Sequence, residues 1–256
     1  MLNVYRDYME ATAKIIQDIQ LTQMDNIEKA AQMFAKSIAS DGLVHMYGSG
    51  HSRMAVEEVF PRYGSFPGFH PIVELSMTFH NQVVGSNGQR QAMFIENIEG
   101  LGNRILRNFI FKPEDCFLLF STSGTGNVVI DMALEARERN LPIVAITGVE
   151  NSKQSAPKHS TGKKLLELAD VVIDTCVPSG DAAVHIEGLK YPVGPTSTIA
   201  NTLIVNLIKV RTAELLTETG HPPLVLTSAH FIGKEESAQL FEDTYDDYRR
   251  RVWRNQ

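Results

Sequence analysis

The sequence predicts an α/β fold, a doubly wound three-layer sandwich built on a five-stranded parallel sheet of order 2-1-3-4-5 and preceded by N-terminal helices. From residue 43 onward, short and almost continuously apolar runs alternate with helical segments, a pattern typical of parallel strands covered on both faces. Right-handed crossovers between such strands place the intervening helices on both faces of the sheet. The strand candidates are LVHMY (43–47), PIVEL (71–75, the weakest), CFLLF (116–120), PIVAIT (142–147) and DVVIDT (170–175).

Two leading helices are predicted within residues 1–39, where apolar residues recur at three- and four-residue spacing. Because these helices precede every strand, their apolar faces must be buried against the edge of this chain's own sheet or against a second subunit. Later in the chain, Gly220 and Pro222 end a long helix predicted at 197–219. The other expected helices are MAVEEVF (54–60), 128–140, 163–169 and a mixed-charge amphipathic segment from 234.

The length of 256 residues is sufficient for one large domain with its own core. No sequence repeat, low-complexity tract or convincing interdomain linker divides the chain. We therefore expect a single domain over 1–256, in which an α/β core at about 40–220 carries a helical extension at about 1–39 and a C-terminal extension at about 221–256.

The charge balance and hydropathy exclude several classes of partner. The 30 aspartates and glutamates outnumber the 24 lysines and arginines, which gives a formal net charge of −6 and argues against a nucleic-acid binder. No apolar run approaches the roughly 20 residues needed to span a bilayer, and the N-terminal sequence lacks the apolar core of a signal peptide. The expected location is the cytoplasm, with neither nucleic acid nor membrane as a partner.

Two predicted strands run into loops of similar chemistry, GSGHS at 48–52 and STSGTGN at 121–127. Glycines let the backbone approach a ligand closely, and hydroxyls beside a helix N-terminus offer hydrogen bonds to an anion. In the order 2-1-3-4-5, strands 1 and 3 are neighbours at the topological switch point, so these two loops would face each other across a crevice. The sequence therefore predicts a phosphate site between them. The alternative is that Ser52 and Asn127 serve only as helix N-caps.

The loop pair GSGHS and STSGTGN, with KPEDCFLLFSTSG leading into the second loop, resembles the SIS (sugar isomerase) domain over roughly residues 30–230. The later segments LADVVIDT and GPTST, at 194–198, add to the resemblance. Within that superfamily the chain is most similar to uncharacterised members grouped near the phosphoheptose isomerases. Gly126 departs from the usual pattern, which has a hydroxyl residue at this position. Thr125 or the amide of Asn127 is expected to substitute for that hydroxyl.

The resemblance implies that the ligand is a phosphorylated sugar. No cofactor is expected, and no spacing of histidines and carboxylates in the sequence predicts a metal site. The resemblance also implies phosphate contacts from Ser52, Ser121 and Ser123, and a further substrate contact from Ser197 and Thr198 at the start of the last long helix. From the residues alone, Ser197 and Thr198 are N-caps of that helix. The remaining loop residues expected at the phosphate are Ser49, Gly50, Thr122, Thr125 and Asn127.

Isomerisation of an aldose to a ketose requires a base that moves a proton between neighbouring carbons. The segment EEVFPRY is similar to EEL-x-x-RY of the phosphoheptose isomerases, in which the second glutamate is catalytic. This resemblance points to Glu58, with Glu57 beside it, although the helix here is shorter between loop and glutamate. The alternative is a solvated helix glutamate. Glu74 is a further carboxylate candidate.

The position of a catalytic histidine is less defined. The last-helix position at which a phosphoheptose isomerase holds its histidine aligns near Asn206, which argues against a simple transfer of that mechanism. His51, inside the first loop, is the best-placed histidine, and His230 is a second candidate that could act from a neighbouring subunit. His80 and His185 are weaker candidates, and His159 is expected to be solvated in the polar loop 150–162.

The sequence therefore predicts a phosphosugar isomerase that abstracts a proton beside a carbonyl, acting on an aldose, ketose or amino-sugar phosphate. The alternatives are a non-catalytic phosphosugar-binding or sensor module, a sugar-phosphate ether lyase and a deaminating ketose-amine isomerase. A DNA-binding regulator is disfavoured because only about 40 residues, which are not basic, precede the first strand. A homodimer or homotetramer is expected, since the leading helices need a partner surface and similar SIS proteins assemble in this way.

Overall fold

Five strands form one parallel sheet in the computed structural model, which describes residues 3–78 and 85–253. Their order, β2-β1-β3-β4-β5, is the predicted one, and every neighbouring pair is parallel. The predicted α/β fold class is therefore confirmed. The strands are β1 (Val44–Gly48), β2 (Phe69–Pro71), β3 (Cys116–Phe120), β4 (Ile143–Thr147) and β5 (Val171–Asp174).

Helices precede the sheet, connect its strands and follow it, as the periodicity predicted. No helix in the described part of the chain combines the length and the apolarity that a bilayer crossing requires. The helices are α1 (Asn3–Thr22), α2 (Met24–Ala39), α3 (Arg53–Val59), α4 (Gly88–Ile95), α5 (Leu101–Leu106), α6 (Asn127–Glu138), α7 (Val149–Gln154), α8 (Leu165–Leu168), α9 (Ser197–Glu218), α10 (Ala229–Ile232) and α11 (Lys234–Trp253).

The second strand, β2, covers 69–71 rather than the predicted 71–75. Among the described strands it pairs with β1 alone, at the edge of the sheet, so a single ladder of hydrogen bonds holds it. Just beyond it, the carboxylate of Glu74 accepts a hydrogen bond from the backbone N–H of Ser76 at 3.2 Å and turns the chain away from the sheet. The apolar run PIVEL therefore continues past the end of the strand.

Successive strand residues pack into two separate cores, one on each face of the sheet. Met46 and Leu118 belong to the core that joins the strands to α2, α3 and α9. Tyr47 and Leu119, one position further along, belong to the core beneath α5, α6 and α8. All five residues of β1, β3 and β4 are buried, which explains why their sequences are nearly continuous apolar runs. The three-layer arrangement follows from this alternation.

The two leading helices differ in how far they are buried. Seven residues of α2 are buried, and the helix packs on α9 and the sheet. In α1, Ile15 and Ile19 are the buried residues, whereas Tyr5 and Met9 are 67% and 69% exposed. The chain's own sheet therefore covers α2 but leaves an apolar part of α1 in contact with solvent.

Candidate functional site

The ends of β1 and β3 lie side by side, which brings the two serine–glycine loops to the same edge of the sheet. Gly48 pairs with Phe120 in the parallel register, so the segments 49–52 and 121–127 leave the sheet from adjacent positions. The order of the strands changes direction here, since β2 lies on one side of β1 and β3 on the other. This is the switch point at which open α/β sheets bind ligands.

The first loop is a tight turn that leads directly into α3. A side chain at Gly48 would place its Cβ 2.8 Å from the backbone of Ser52, so the turn requires glycine there. Gly50 has a φ of 54° and begins a short 3-10 turn that includes His51, which is exposed, and ends at Ser52. The Ser52 side chain makes no capping hydrogen bond to α3. The interpretation of Ser52 as a simple N-cap is therefore wrong.

The second loop is held by hydrogen bonds among its own residues. The Ser121 hydroxyl accepts from the backbone N–H of Gly124 at 3.1 Å, and the Ser123 hydroxyl accepts from the Thr125 hydroxyl at 3.1 Å. Thr147, at the end of β4, donates its hydroxyl proton to the carbonyl oxygen of Ser121 at 2.6 Å. A serine hydroxyl that accepts a hydrogen bond keeps its own proton for another acceptor. The half-buried Ser121 and Ser123 thus retain donors, whereas the proton of the buried Thr125 is already used.

Asn127 binds a neighbouring segment of the chain instead of capping α6. Gly126 occupies the N-cap position, and the Asn127 side-chain amide donates to the carbonyl oxygen of Asn97 at 2.8 Å. The next backbone N–H, that of Val128, donates to the carbonyl oxygen of Glu96 at 3.1 Å. The start of α6 is therefore hydrogen-bonded to the backbone of residues 96 and 97, a contact that no sequence motif predicts.

Glu96 also reaches the first loop. Its carboxylate oxygen Oε2 accepts a hydrogen bond from the Ser49 hydroxyl at 2.5 Å. Burial raises the pKa of Tyr47, the residue before Gly48, and the charges of Glu96 and Glu74 raise it further. Two carboxylates thus lie near the end of β1. Glu96 was missed because it follows a helix, and no strand end or glycine-rich motif marks it.

The two predicted catalytic glutamates on α3 are engaged in ion pairs. A carboxylate oxygen of Glu57 lies 2.6 Å from a guanidinium nitrogen of Arg53. In Glu58, Oε2 lies 2.6 Å from a guanidinium nitrogen of Arg62, and Oε1 accepts a hydrogen bond at 3.2 Å from the side-chain amide of Asn206 on α9. Partial burial raises the pKa of Glu58, but the hydrogen bonds from Asn206 and Arg62 outweigh that effect and hold the pKa below its ordinary value. The structure therefore brings Glu58 to Asn206, the position that aligned with the family's histidine.

The N-terminus of α9 is occupied by a carboxylate of the chain itself. Asp181 accepts hydrogen bonds from the backbone N–H groups of Thr196, at 2.9 Å, and Ser197, at 2.8 Å. The Ser197 hydroxyl donates to the same carboxylate at 2.5 Å. Thr196 is the N-cap residue, so the expectation that Ser197 and Thr198 cap the helix is wrong; they are its first two residues. Asp181 lies in a loop, with a φ of 51°, and no sequence motif marks it.

The remaining histidines are dispersed. His230 is exposed on α10, which packs on α11, and His185 is exposed in the long loop before α9. His80 lies outside the described residues. His159 is buried rather than solvated as expected, because its Nε2 is 3.1 Å from an Asp131 carboxylate oxygen and its Nδ1 is 2.9 Å from the Thr161 hydroxyl. It fastens the loop 155–162 to α6.

A doubly wound α/β sheet with polar loops after its first and third strands defines a class of proteins that bind small molecules at the switch point. The sequence matches the SIS domain family over residues 7–148, which is more than half of the chain. The chain therefore belongs to the SIS domain family.

Similar proteins cover almost the whole chain. A UPF0309 protein of Thermoanaerobacter pseudethanolicus is 33% identical over 96% of this chain and 98% of its own, and one of Geobacillus kaustophilus is 32% identical over 88% and 87%. Among solved structures, a phosphoheptose isomerase of Neisseria gonorrhoeae is similar with a TM-score of 0.52 at 14% identity, covering 80% of this chain and 95% of that one. One from Francisella tularensis gives 0.51 at 14% identity, covering 83% and 98%. At these identities the two structures show a common fold.

Proposed function

We propose that this chain binds a phosphorylated sugar between the loops at 49–52 and 121–127 and isomerises it by moving a proton between adjacent carbons. The single observation that carries the proposal is the β1–β3 register, which sets the two polar loops side by side at the switch point. Membership of the SIS domain family supports a sugar phosphate as the ligand. The two solved neighbours are named phosphoheptose isomerases, and an isomerase activity for this chain is consistent with those names.

The phosphate is proposed to lie on the second loop. There, Ser121 and Ser123 each keep a hydroxyl proton to donate, because both accept hydrogen bonds from within the loop. Neutral donors and the start of α6 can hold a phosphate without a cluster of lysines and arginines, which suits a chain of net charge −6. Ser52, whose hydroxyl does not cap α3, is proposed to donate from the facing loop.

A phosphosugar-binding module without catalysis is the second candidate. The hydrogen bonds that Glu58 accepts from Asn206 and Arg62 favour it, because they hold the pKa of this carboxyl below its ordinary value and so weaken it as a base. The two candidates predict the same ligand and differ only in whether protons of that ligand exchange with solvent.

The test of the ligand is a thermal-shift measurement with fructose 6-phosphate, sedoheptulose 7-phosphate and glucosamine 6-phosphate. At 100 times its Kd, a ligand stabilises the native state by about 2.7 kcal/mol, or about 5–10 °C in Tm for a chain of this size. We expect such a shift with at least one of the three, and its loss in the double variant Ser121→Ala, Ser123→Ala.

The matched control is Ser179→Ala, a serine in an exposed loop whose hydroxyl donates to Gln154. It should respond to the sugar phosphates like the wild type. Stabilisation of the wild type by none of the three compounds, or an equal shift in the double variant, would contradict the proposed site.

We further propose that the protein is a homodimer or homotetramer. Between α2 and α9 lies an apolar groove of about 370 Å³, lined by Met24, Leu203, Leu207 and Val210, and Val210 is 68% exposed. Leu203 and Leu207 are only half-buried, so the chain's own core does not fully cover this apolar face of α9. A second copy of the chain covering this groove would bury the remaining face.

A further inference from the structure

Glu96 is hydrogen-bonded both to the first proposed ligand loop and to the residue that follows the second loop. Its side chain accepts the hydroxyl proton of Ser49 in the first loop, and its carbonyl oxygen accepts the backbone N–H of Val128 directly after the second loop. The carbonyl oxygen also lies 3.7 Å from where a Cβ on Gly126 would be. The residue is therefore fixed between the two loops, at the switch point of the sheet.

The charge of Glu96 determines which end of a sugar phosphate can lie beside it. A carboxylate and a phosphate repel each other, so the phosphate is excluded from the neighbourhood of Ser49 and is directed to the hydroxyls of Ser121 and Ser123. The carbonyl end of the sugar then lies towards Ser49 and Glu96, at the start of the first loop. Ser49, which was predicted to contact the phosphate, is instead turned towards Glu96.

Glu96 also has the access that a base requires. It is half-buried, so a ligand can reach it while the surrounding protein excludes part of the solvent. Its Oε2 accepts the hydrogen bond from the Ser49 hydroxyl, whereas its Oε1 accepts no hydrogen bond from any residue in the described part of the chain. By contrast, Glu57 and Glu58 each have an arginine nitrogen within 2.6 Å.

We infer that Glu96 is the base that takes the proton from the carbon beside the sugar's carbonyl, an assignment that rests on the proposed sugar-phosphate isomerase function. The carboxylate removes the proton, and the electron pair of the broken C–H bond forms a carbon–carbon double bond while the carbonyl oxygen becomes an enediolate oxygen. Return of the proton to the former carbonyl carbon, with loss of the proton from the neighbouring hydroxyl and uptake of one by the enediolate oxygen, completes the isomerisation. No oxidant, reductant or co-reactant is consumed.

The experiment follows the incorporation of solvent deuterium into fructose 6-phosphate, sedoheptulose 7-phosphate and glucosamine 6-phosphate by NMR, in parallel with the thermal shift that each compound produces. Glu96→Gln keeps the size and an acceptor for Ser49 but removes the base. We expect it to retain the wild-type thermal shift and to lose at least 100-fold in exchange rate. The matched control is Glu99→Gln, three residues further along, whose carboxylate binds Ser160, and it should exchange like the wild type.

The outcomes distinguish the proposed isomerase function from the assignment of Glu96 as its base. Wild-type exchange in Glu96→Gln, or its selective loss in Glu58→Gln, overturns the assignment of Glu96 and leaves the proposed function standing. A thermal shift without any exchange in the wild type overturns the assignment and favours the binding module. No thermal shift with any of the three compounds overturns the proposed function and the assignment together.

A second variant, Glu96→Asp, serves if Glu96→Gln fails to fold. It withdraws the carboxylate by one methylene, so its exchange rate should fall at least tenfold. An unchanged rate overturns the assignment.

Discussion

Ser49 and Ser123 carry the same side chain but take part in opposite hydrogen bonds. The Ser49 hydroxyl donates its proton to the carboxylate of Glu96, whereas the Ser123 hydroxyl accepts a proton from Thr125. Because a serine hydroxyl has one proton, Ser49 has already committed it to an anion of the chain, and Ser123 can still donate to a ligand. The two loops, although similar in sequence, therefore offer different chemistry to a sugar phosphate.

Replacing Ser49 with alanine tests this difference at the level of one residue. A hydrogen bond to a charged group contributes about 1.5–3 kcal/mol, so losing it should leave Glu96 less well oriented and lower the exchange rate by about tenfold or more. The affinity for the sugar phosphate should change by less than about threefold, since Ser49 does not hold the phosphate. Binding by calorimetry and exchange by NMR measure the two quantities.

Ser123→Ala is the comparison, and it should weaken binding by about tenfold because it removes a donor to the phosphate. If Ser49→Ala weakened binding as strongly as Ser123→Ala while leaving the exchange rate intact, Ser49 would be a phosphate contact after all.

At the scale of secondary-structure elements, the C-terminal helix α11 closes the exposed edge of the sheet. Tyr248 of α11 lies 3.0 Å from Nδ1 of His70 in β2, and its ring packs edge-to-face on Phe60. Burial lowers the pKa of His70 to about 4, with a further contribution from the neighbouring His45 and an opposing one from Asp115. Neutral His70 is therefore part of the contact between helix and sheet.

This contact should make stability depend on pH in a defined window. An unfolded histidine titrates near 6.5, so between about pH 6.5 and 4 the unfolded chain binds a proton that the folded chain does not, and stability falls as the pH falls. A pKa of about 4 in the folded chain against about 6.5 in the unfolded chain corresponds to about 3.4 kcal/mol. In His70→Asn, which cannot titrate, the Tm should therefore decline by about 7–14 °C less over this window than in the wild type.

The exposed His185 supplies the control, since His185→Asn should follow the wild-type pH profile. Differential scanning fluorimetry at constant ionic strength measures all three proteins. Parallel Tm–pH curves for the wild type and His70→Asn would show that His70 is not held neutral against α11.

At the scale of the whole molecule, the sheet order and the pairing of the two loops were predictable because they depend on local patterns. Strand runs, helical periodicity and glycine-rich turns are visible in the sequence, and the switch-point rule then brings the segments 49–52 and 121–127 together. Glu96 and Asp181 could not be found in this way. They meet their partners Ser49 and Ser197 only through folding, over separations of 47 and 16 residues, and no motif distinguishes them from other acidic residues.

The exposed groove between α2 and α9 predicts that the whole molecule is a homodimer or homotetramer. The groove between α2 and α9 has an apolar floor and a charged rim, where Arg211 pairs with Glu28 at 2.9 Å and with Glu214 at 2.7 Å, an arrangement typical of protein interfaces. Val210→Glu places a charge on this floor at a position that is exposed in the single chain, so the fold should tolerate it. In an assembly the same charge would be buried without a partner, at a cost of several kcal/mol.

Light scattering measures the assembly. We expect a dimer or tetramer for the wild type and a monomer for Val210→Glu. The control, Ala238→Glu, adds the same charge to the exposed face of α11 and should assemble like the wild type. A wild type that is monomeric at tens of micromolar, or a Val210→Glu variant that assembles normally, would show that α9 faces solvent and that the site is complete within one chain.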